Sequence, residues 1–126
     1  GARSEPGTTF YRGFSGPRTL FDATVKDGVG MRDILDGTSF TLGIVEAREA
    51  VPWTKPDAEI PFDADARPKP GELDPLPSQL GGHFQGGFDA LFLDGSVRFL
   101  SQSVNTTLLR ALITRDAGEV VSSDQF

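Results

Sequence analysis

Seven of the nine prolines in this chain fall between positions 51 and 80: Pro52, Pro56, Pro61, Pro68, Pro70, Pro75 and Pro77. Proline fixes φ and lacks the backbone donor, so neither a central strand nor a long helix can run through this spacing. The stretch is also acidic, carrying Asp57, Glu59, Asp63, Asp65, Glu72 and Asp74. It retains Trp53 and Phe62, aromatics that disordered segments rarely keep. It therefore reads as a long ordered excursion, anchored by Trp53 and Phe62, between two regular parts of one domain. A loop of this length points to a functional or family-specific insertion.

The first regular part, residues 1–50, is punctuated by glycine. It has β-type segments around Thr8–Phe14 and Ser39–Ala47. In the second segment Phe40, Leu42 and Ile44 share one face and Thr41, Gly43 and Val45 the other, so this strand is expected in the middle of a sheet. Asp36-Gly37 signals a turn just before it, and Met31–Leu35 suits a single helical turn.

The other regular part follows the excursion. Phe88–Leu93 and Ser96–Leu100 flank Asp94-Gly95, which predicts a two-residue type I′ hairpin. That register sets Phe92 against Val97 and Ala90 against Phe99. Phe88, Ala90, Phe92, Val97 and Phe99 would then enter the core, with Asp89 and Arg98 paired diagonally on the other face. Asn105 can cap a helix over 106–113 whose buried face is Val104, Leu108, Ala111 and Leu112. Gly118 suits the turn that follows, and Glu119–Ser122 a final short strand.

At 126 residues the chain suits one domain, and 37% hydrophobic residues plus 15 glycines give an ordinary globular composition. The net charge of −6 disfavours nucleic acid and anionic membrane surfaces, which call for a surplus of Lys and Arg. With no cysteine there are no disulfides, thiolate zinc sites or cysteine nucleophiles, and a single histidine excludes multi-histidine metal sites within one chain. No apolar run approaches the roughly 20 residues that cross a bilayer. The chain begins at Gly1 rather than Met, as a cleaved or truncated protein would.

Chemistry-bearing candidates are few. His83 lies in Gly81-Gly82-His83-Phe84-Gln85-Gly86-Gly87. Its plainest role is a hydrogen bond to a loop carbonyl or to the hairpin-turn carboxylate, with ligand binding as the rival role. No Gly-x-Ser-x-Gly elbow exposes a serine nucleophile, and no phosphate-loop spacing occurs. The expectation is a non-enzymatic chain without a cofactor. If a metal is bound, calcium fits best, on Asp57, Glu59, Asp63 and Asp65, or on Asp89 with Asp94, although EF-hand spacing is absent. Trp53 and Lys55, in Pro52-Trp53-Thr54-Lys55-Pro56, are candidates for a loop that meets a ligand or partner. Trp53 itself reads first as a buried anchor.

Three segments together resemble a family of unknown function expanded in planctomycetes, which carries a prepilin-type processing-associated motif of His, nine residues, then Asp-Gly. The first is Asp36-Gly37-Thr38-Ser39 with Thr41 and Glu46, leading to Pro52-Trp53. The second comprises His83, Gly86-Gly87 and Asp94-Gly95-Ser96-Val97-Arg98-Phe99. The third is Leu109 through Glu119. The chain departs from the pattern in having ten residues, Phe84 through Leu93, between His83 and Asp94, Phe40 in place of Asn, and Ala117 in place of a glycine.

The resemblance implies an α+β fold: a pilin-like head dominated by antiparallel sheet, with one short C-terminal helix. The family's N-terminal pilin helix lies outside these 126 residues. It implies a non-enzymatic pseudopilin-like protein, extracytoplasmic, periplasmic or at the cell surface, anchored in the membrane only through that helix. Partners would be other pilin-like or secretion-system proteins, and the motif residues His83, Gly86, Gly87, Asp94, Gly95 and Ser96 would act in structure or recognition. The alternative is an extracytoplasmic module that binds a small ligand, a carbohydrate or calcium.

Overall fold

The computed structural model describes residues 6–56, 58–66 and 68–116. Strand β1 is Thr8–Arg12, β2 Phe14–Ser15, β3 Leu42–Pro52, β4 Ile60–Pro61, β5 Gly87–Phe92 and β6 Val97–Ser101; helix α1 is Thr106–Ile113. Four strands form an antiparallel sheet in the order β1-β3-β5-β6, and β2 and β4 make a small parallel pair. The architecture is α+β, with α1 as the short C-terminal helix. Met31–Asp33 forms the expected single helical turn, of 3-10 type. The expected turn at Gly118 and strand at 119–122 lie outside the described residues.

The core is one layer between the sheet and the segments that cross it. Leu42, Val45, Ala47, Phe88, Ala90, Phe92 and Leu100 bury against Leu109, Leu112 and Ile113 of α1. The proline-rich excursion adds Ile60, Phe62, Leu76 and Leu80 to the same cluster, so it is an ordered wall of the domain. The parallel pair explains part of this order: Ile60 and Phe62 donate backbone hydrogen bonds to Gly13 and Ser15, each at 2.8 Å. Phe62 is the anchor expected there. Trp53 is not, being 70% exposed. Strand β3 runs on to Pro52 and carries Trp53 past the end of the layer that would have covered it.

β3 is central, as its two partly apolar faces predict, but the alternation breaks at Gly43. Leu42 pairs with Phe92 and Ile44 with Leu91, so two steps on β3 oppose one on β5. This bulge lets both Leu42 and Val45 face the core while Ile44 turns out to solvent, at 39% exposure. A side chain at Gly43 would stand 3.2 Å from the tip of Leu93, a tight contact that the absence of a Cβ relieves.

The hairpin also differs from expectation. Gly95 donates to the Phe92 carbonyl and Phe92 to that of Ser96, closing a three-residue loop, Leu93-Asp94-Gly95, in which Gly95 alone has a positive φ, +89°. The register moves by one: Leu91 faces Val97, Ala90 faces Arg98 and Phe88 faces Leu100. A one-residue slip turns a whole strand over. Leu100 therefore replaces Val97 and Phe99 in the core, and those two are 65% and 52% exposed. Asp89 now faces Phe99 and Arg98 faces Ala90, so the two fall on opposite faces of the sheet and not on the same one.

Asn105 caps α1 as predicted, its Oδ1 accepting from the amides of Thr107 at 2.8 Å and Leu108 at 3.4 Å. The buried arc is broader than the predicted stripe. Leu109, Leu112 and Ile113 are fully covered, and Ala111 nearly so, whereas Val104 and Leu108 are only partly buried. The helix meets the excursion as well as the sheet, which widens the covered arc. Asn105→Ala should cost about 1 kcal/mol, lowering the melting temperature by about 4 °C in a thermal denaturation.

Candidate functional site

Parts of the three segments that carry the resemblance are tied together by backbone hydrogen bonds. Thr38–Phe40 forms a 3-10 turn after Gly37, and Thr41, fully buried, donates its hydroxyl to the Gly37 carbonyl at 3.0 Å. The hairpin loop docks on this turn: Leu93 donates to the Thr41 carbonyl and Asp94 to that of Thr38, each at 3.1 Å. The closing segment reaches the same place, because the Asp36 amide donates to the Arg115 carbonyl at 3.1 Å. Residues 36–41, 93–96 and 114–116 thus form one knot at the end of the sheet.

The side chains of Asp94, Ser96, Arg115 and Asp116 are engaged with the fold. Asp94 Oδ1 accepts from the Ser96 hydroxyl at 2.6 Å and the Ser96 amide at 2.9 Å, and those bonds hold its carboxyl below the usual carboxylate range. The tail is stapled by Arg115, whose Nη1 donates to the Thr19 carbonyl at 2.6 Å and to Asp22 Oδ2 at 3.0 Å. Asp22 is buried and also accepts from the Thr24 hydroxyl and the amides of Arg18 and Thr24. The Thr24 hydroxyl contributes most to holding its carboxyl far below the ordinary value, with the two amides and Arg115 adding to that effect against the opposing cost of burial. Arg18 pairs with Asp116 at 2.8 Å, which raises its own pKa.

His83 lies elsewhere. Its Nε2 is 2.8 Å from the Ala47 carbonyl, and since a carbonyl only accepts, Nε2 carries the hydrogen. The ring also rests against Phe10, centroid to centroid 4.0 Å. The expected bond to a carbonyl is present, but the acceptor belongs to β3 and not to a loop. β5, about 17 Å of extended chain, runs between the histidine end and the Asp94 turn, so the two halves of the motif are separate fixtures. His83→Ala removes one hydrogen bond and one ring contact, and a loss of about 2 kcal/mol in urea denaturation is expected.

Glu46 has a role that no local pattern disclosed. It is 4% exposed, and its Oε1 accepts from the Asp89 amide at 2.9 Å. At this point β5 parts from β3, and residues 80–81 take over the pairing through an Ala47–Leu80 bridge and a Gly81-to-Glu46 backbone bond at 2.9 Å. The carboxylate supplies the acceptor that the diverging ladder lacks.

The described acidic candidates of the excursion have contacts of their own. Asp63 Oδ1 accepts from the Asp65 amide at 3.0 Å, and the carbonyl of Glu59 accepts from Arg12. Asp57 lies outside the described residues. Among the described residues no group of three or more histidines and carboxylates is placed to hold a metal ion. Asp74 instead receives both Nε and Nη2 of Arg110, at 2.8 and 3.0 Å, which lowers its pKa.

Trp53 and Lys55 share a turn closed by the Lys55 amide on the Pro52 carbonyl at 3.1 Å, and the Trp53 amide donates to Gly7 at 3.1 Å. Both side chains project to solvent. No helix among the described residues is long and apolar enough to cross a membrane. Comparison of the chain with protein-family models, curated proteins and solved structures finds no match.

Proposed function

We propose that this chain is the head of an exported pseudopilin-like protein that works by assembly or recognition. The observation that carries the reading is the knot itself. Segments recognised only by resemblance, far apart in sequence, are joined by the Asp94–Thr38, Leu93–Thr41 and Asp36–Arg115 backbone bonds. Their carboxylates brace turns and tails, which suits a motif that holds a binding head in shape better than one that moves protons.

The outward face of the sheet supports the same reading, because Ile44, Val97 and Phe99 are all exposed there. Apolar side chains gathered on one face favour contact with other proteins. In this reading the partners are other pilin-like or secretion-system proteins, the location is extracytoplasmic, and the anchor is an N-terminal helix outside these 126 residues. The head needs no cofactor and performs no catalysis.

Fractionation of cells that make the full-length protein tests the proposal. A processed product in the envelope or outside the cell is expected. A wholly cytosolic, unprocessed product overturns it.

A further inference from the structure

Three aromatic rings that would ordinarily be drawn into a core stand exposed around one shallow depression: Trp53 at 70%, Tyr11 at 59% and Phe21 at 47%. The backbone that carries each is fixed by a separate feature. Trp53 rides on the Pro52–Lys55 turn, pinned by its amide to Gly7. Tyr11 lies on β1 opposite Glu46, on the outward face of the sheet. The Phe21 ring lies directly over Gly13, where a Cβ would collide with it. Arg12 fastens the far wall by donating Nε to the Ala58 carbonyl at 2.8 Å and Nη2 to that of Glu59 at 3.4 Å.

The space between them measures about 170 Å³. That is well short of the roughly 300 Å³ at which drug-sized pockets begin, and suits a single ring. The lining carries both signs of charge, Lys55 and Glu59, with Arg12 already turned to the carbonyls of Ala58 and Glu59, together with the Thr9 hydroxyl. A rim of mixed sign does not select an anion or a cation. It does suit a neutral ligand that is apolar on its face and hydroxylated at its edge.

We propose that this depression binds a saccharide, specifically one pyranose ring with equatorial hydroxyls. Such a ring presents a flat face of C–H groups that complements the negative π-faces of Trp53 and Tyr11, while its equatorial hydroxyls reach outward to Lys55 and Glu59. Because the main chain under each ring is already bonded or paired, binding orders side chains and little backbone. The site is distinct from the 36–41/93–96/114–116 knot and would operate wherever the protein resides.

Trp53 is the only tryptophan in the chain, so its emission reads this site alone. On adding about 10 mM cellohexaose or chitohexaose, the emission should shift to the blue and acrylamide quenching should fall about two-fold. Tyr11→Ala and Phe21→Ala should each weaken binding about five-fold, with the far-ultraviolet circular dichroism unchanged. The proposal is overturned by no response to either sugar, or by a response undiminished in both variants. Equal shielding by a decaproline peptide, or by raising the protein concentration alone, also overturns it and identifies a protein interface instead. None of these outcomes bears on the fractionation result, so the two proposals fail separately.

Discussion

Gly87→Ala should destabilise the chain by about 3 kcal/mol or more, whereas Gly86→Ala, one residue earlier in the same motif, should cost only about 1 kcal/mol. The two glycines are there for different reasons. Gly86 sits at φ +91° with open space where a Cβ would project, so alanine meets only left-handed backbone strain. Gly87 opens β5 opposite Ser101 and needs no positive φ. A Cβ there would collide with the Leu100 carbonyl oxygen and with the Phe99 ring. The oxygen belongs to the backbone of the paired strand and cannot rotate away, so the start of the β5–β6 ladder must open. Urea denaturation of both variants checks the contrast. Equal losses would show that backbone conformation, and not the close approach of β6, is what the second glycine serves.

Arg115→Ala should cost about 3 kcal/mol and should also change the response to acid. Arg115 and Asp22 are 13% and 4% exposed at their side chains, so the pair is largely out of water. Removing the guanidinium leaves a buried carboxylate short of a donor and frees the tail from the Thr19 carbonyl.

The sign of the pH effect follows from the direction of the Asp22 shift. Its carboxyl titrates far lower in the folded state than the roughly 3.9 of an unfolded chain, so the unfolded state binds more protons in acid. The stabilisation is fully present above about pH 4 and is lost as the pH falls below that toward the folded value. Asp74, lowered chiefly by Arg110, acts in the same direction. Denaturation midpoints measured from pH 6 to pH 2 should therefore fall steeply below pH 4 in the natural chain. They should fall less in Arg115→Ala, because Thr24 and the two amides still hold the carboxylate but Arg115 no longer does. An unchanged acid limb would show that the pair contributes nothing to it.

Much of the architecture was legible because it depends on neighbours in sequence. Asn105 can reach the amides two and three residues ahead whatever surrounds it, so the cap and its helix follow from local chemistry. The proline spacing excluded a strand or helix through the excursion, and Phe62 marked it as ordered. The central place of β3 followed from having apolar residues on both faces.

What was misread depends on contacts made across the fold. The Asp-Gly pair argued for a two-residue loop, but Leu93 and Asp94 are drawn into the loop by their amide bonds to Thr41 and Thr38. Those acceptors lie more than fifty positions earlier in the chain, and no local rule weighs them. The Gly43 bulge and the exposure of Trp53 are of the same kind, each set by where a partner strand runs or ends. The Arg115–Asp22 and Arg110–Asp74 pairs bring together charges that composition counts but cannot match.

The sequence by itself determined the class of the domain: a β-rich unit, a proline-rich insertion, then a hairpin and a capped helix, acidic and without cysteine. These are properties of turn chemistry, capping and periodicity, which act over a few residues. Only the tertiary structure decided which faces are buried and which groups meet. Because side chains alternate along a strand, one residue of register exchanged Val97 and Phe99 for Leu100 in the core and left an apolar face turned outward. The knot that joins Asp36, Thr38, Asp94 and Arg115 exists for the same reason: its bonds form only once the whole chain has closed.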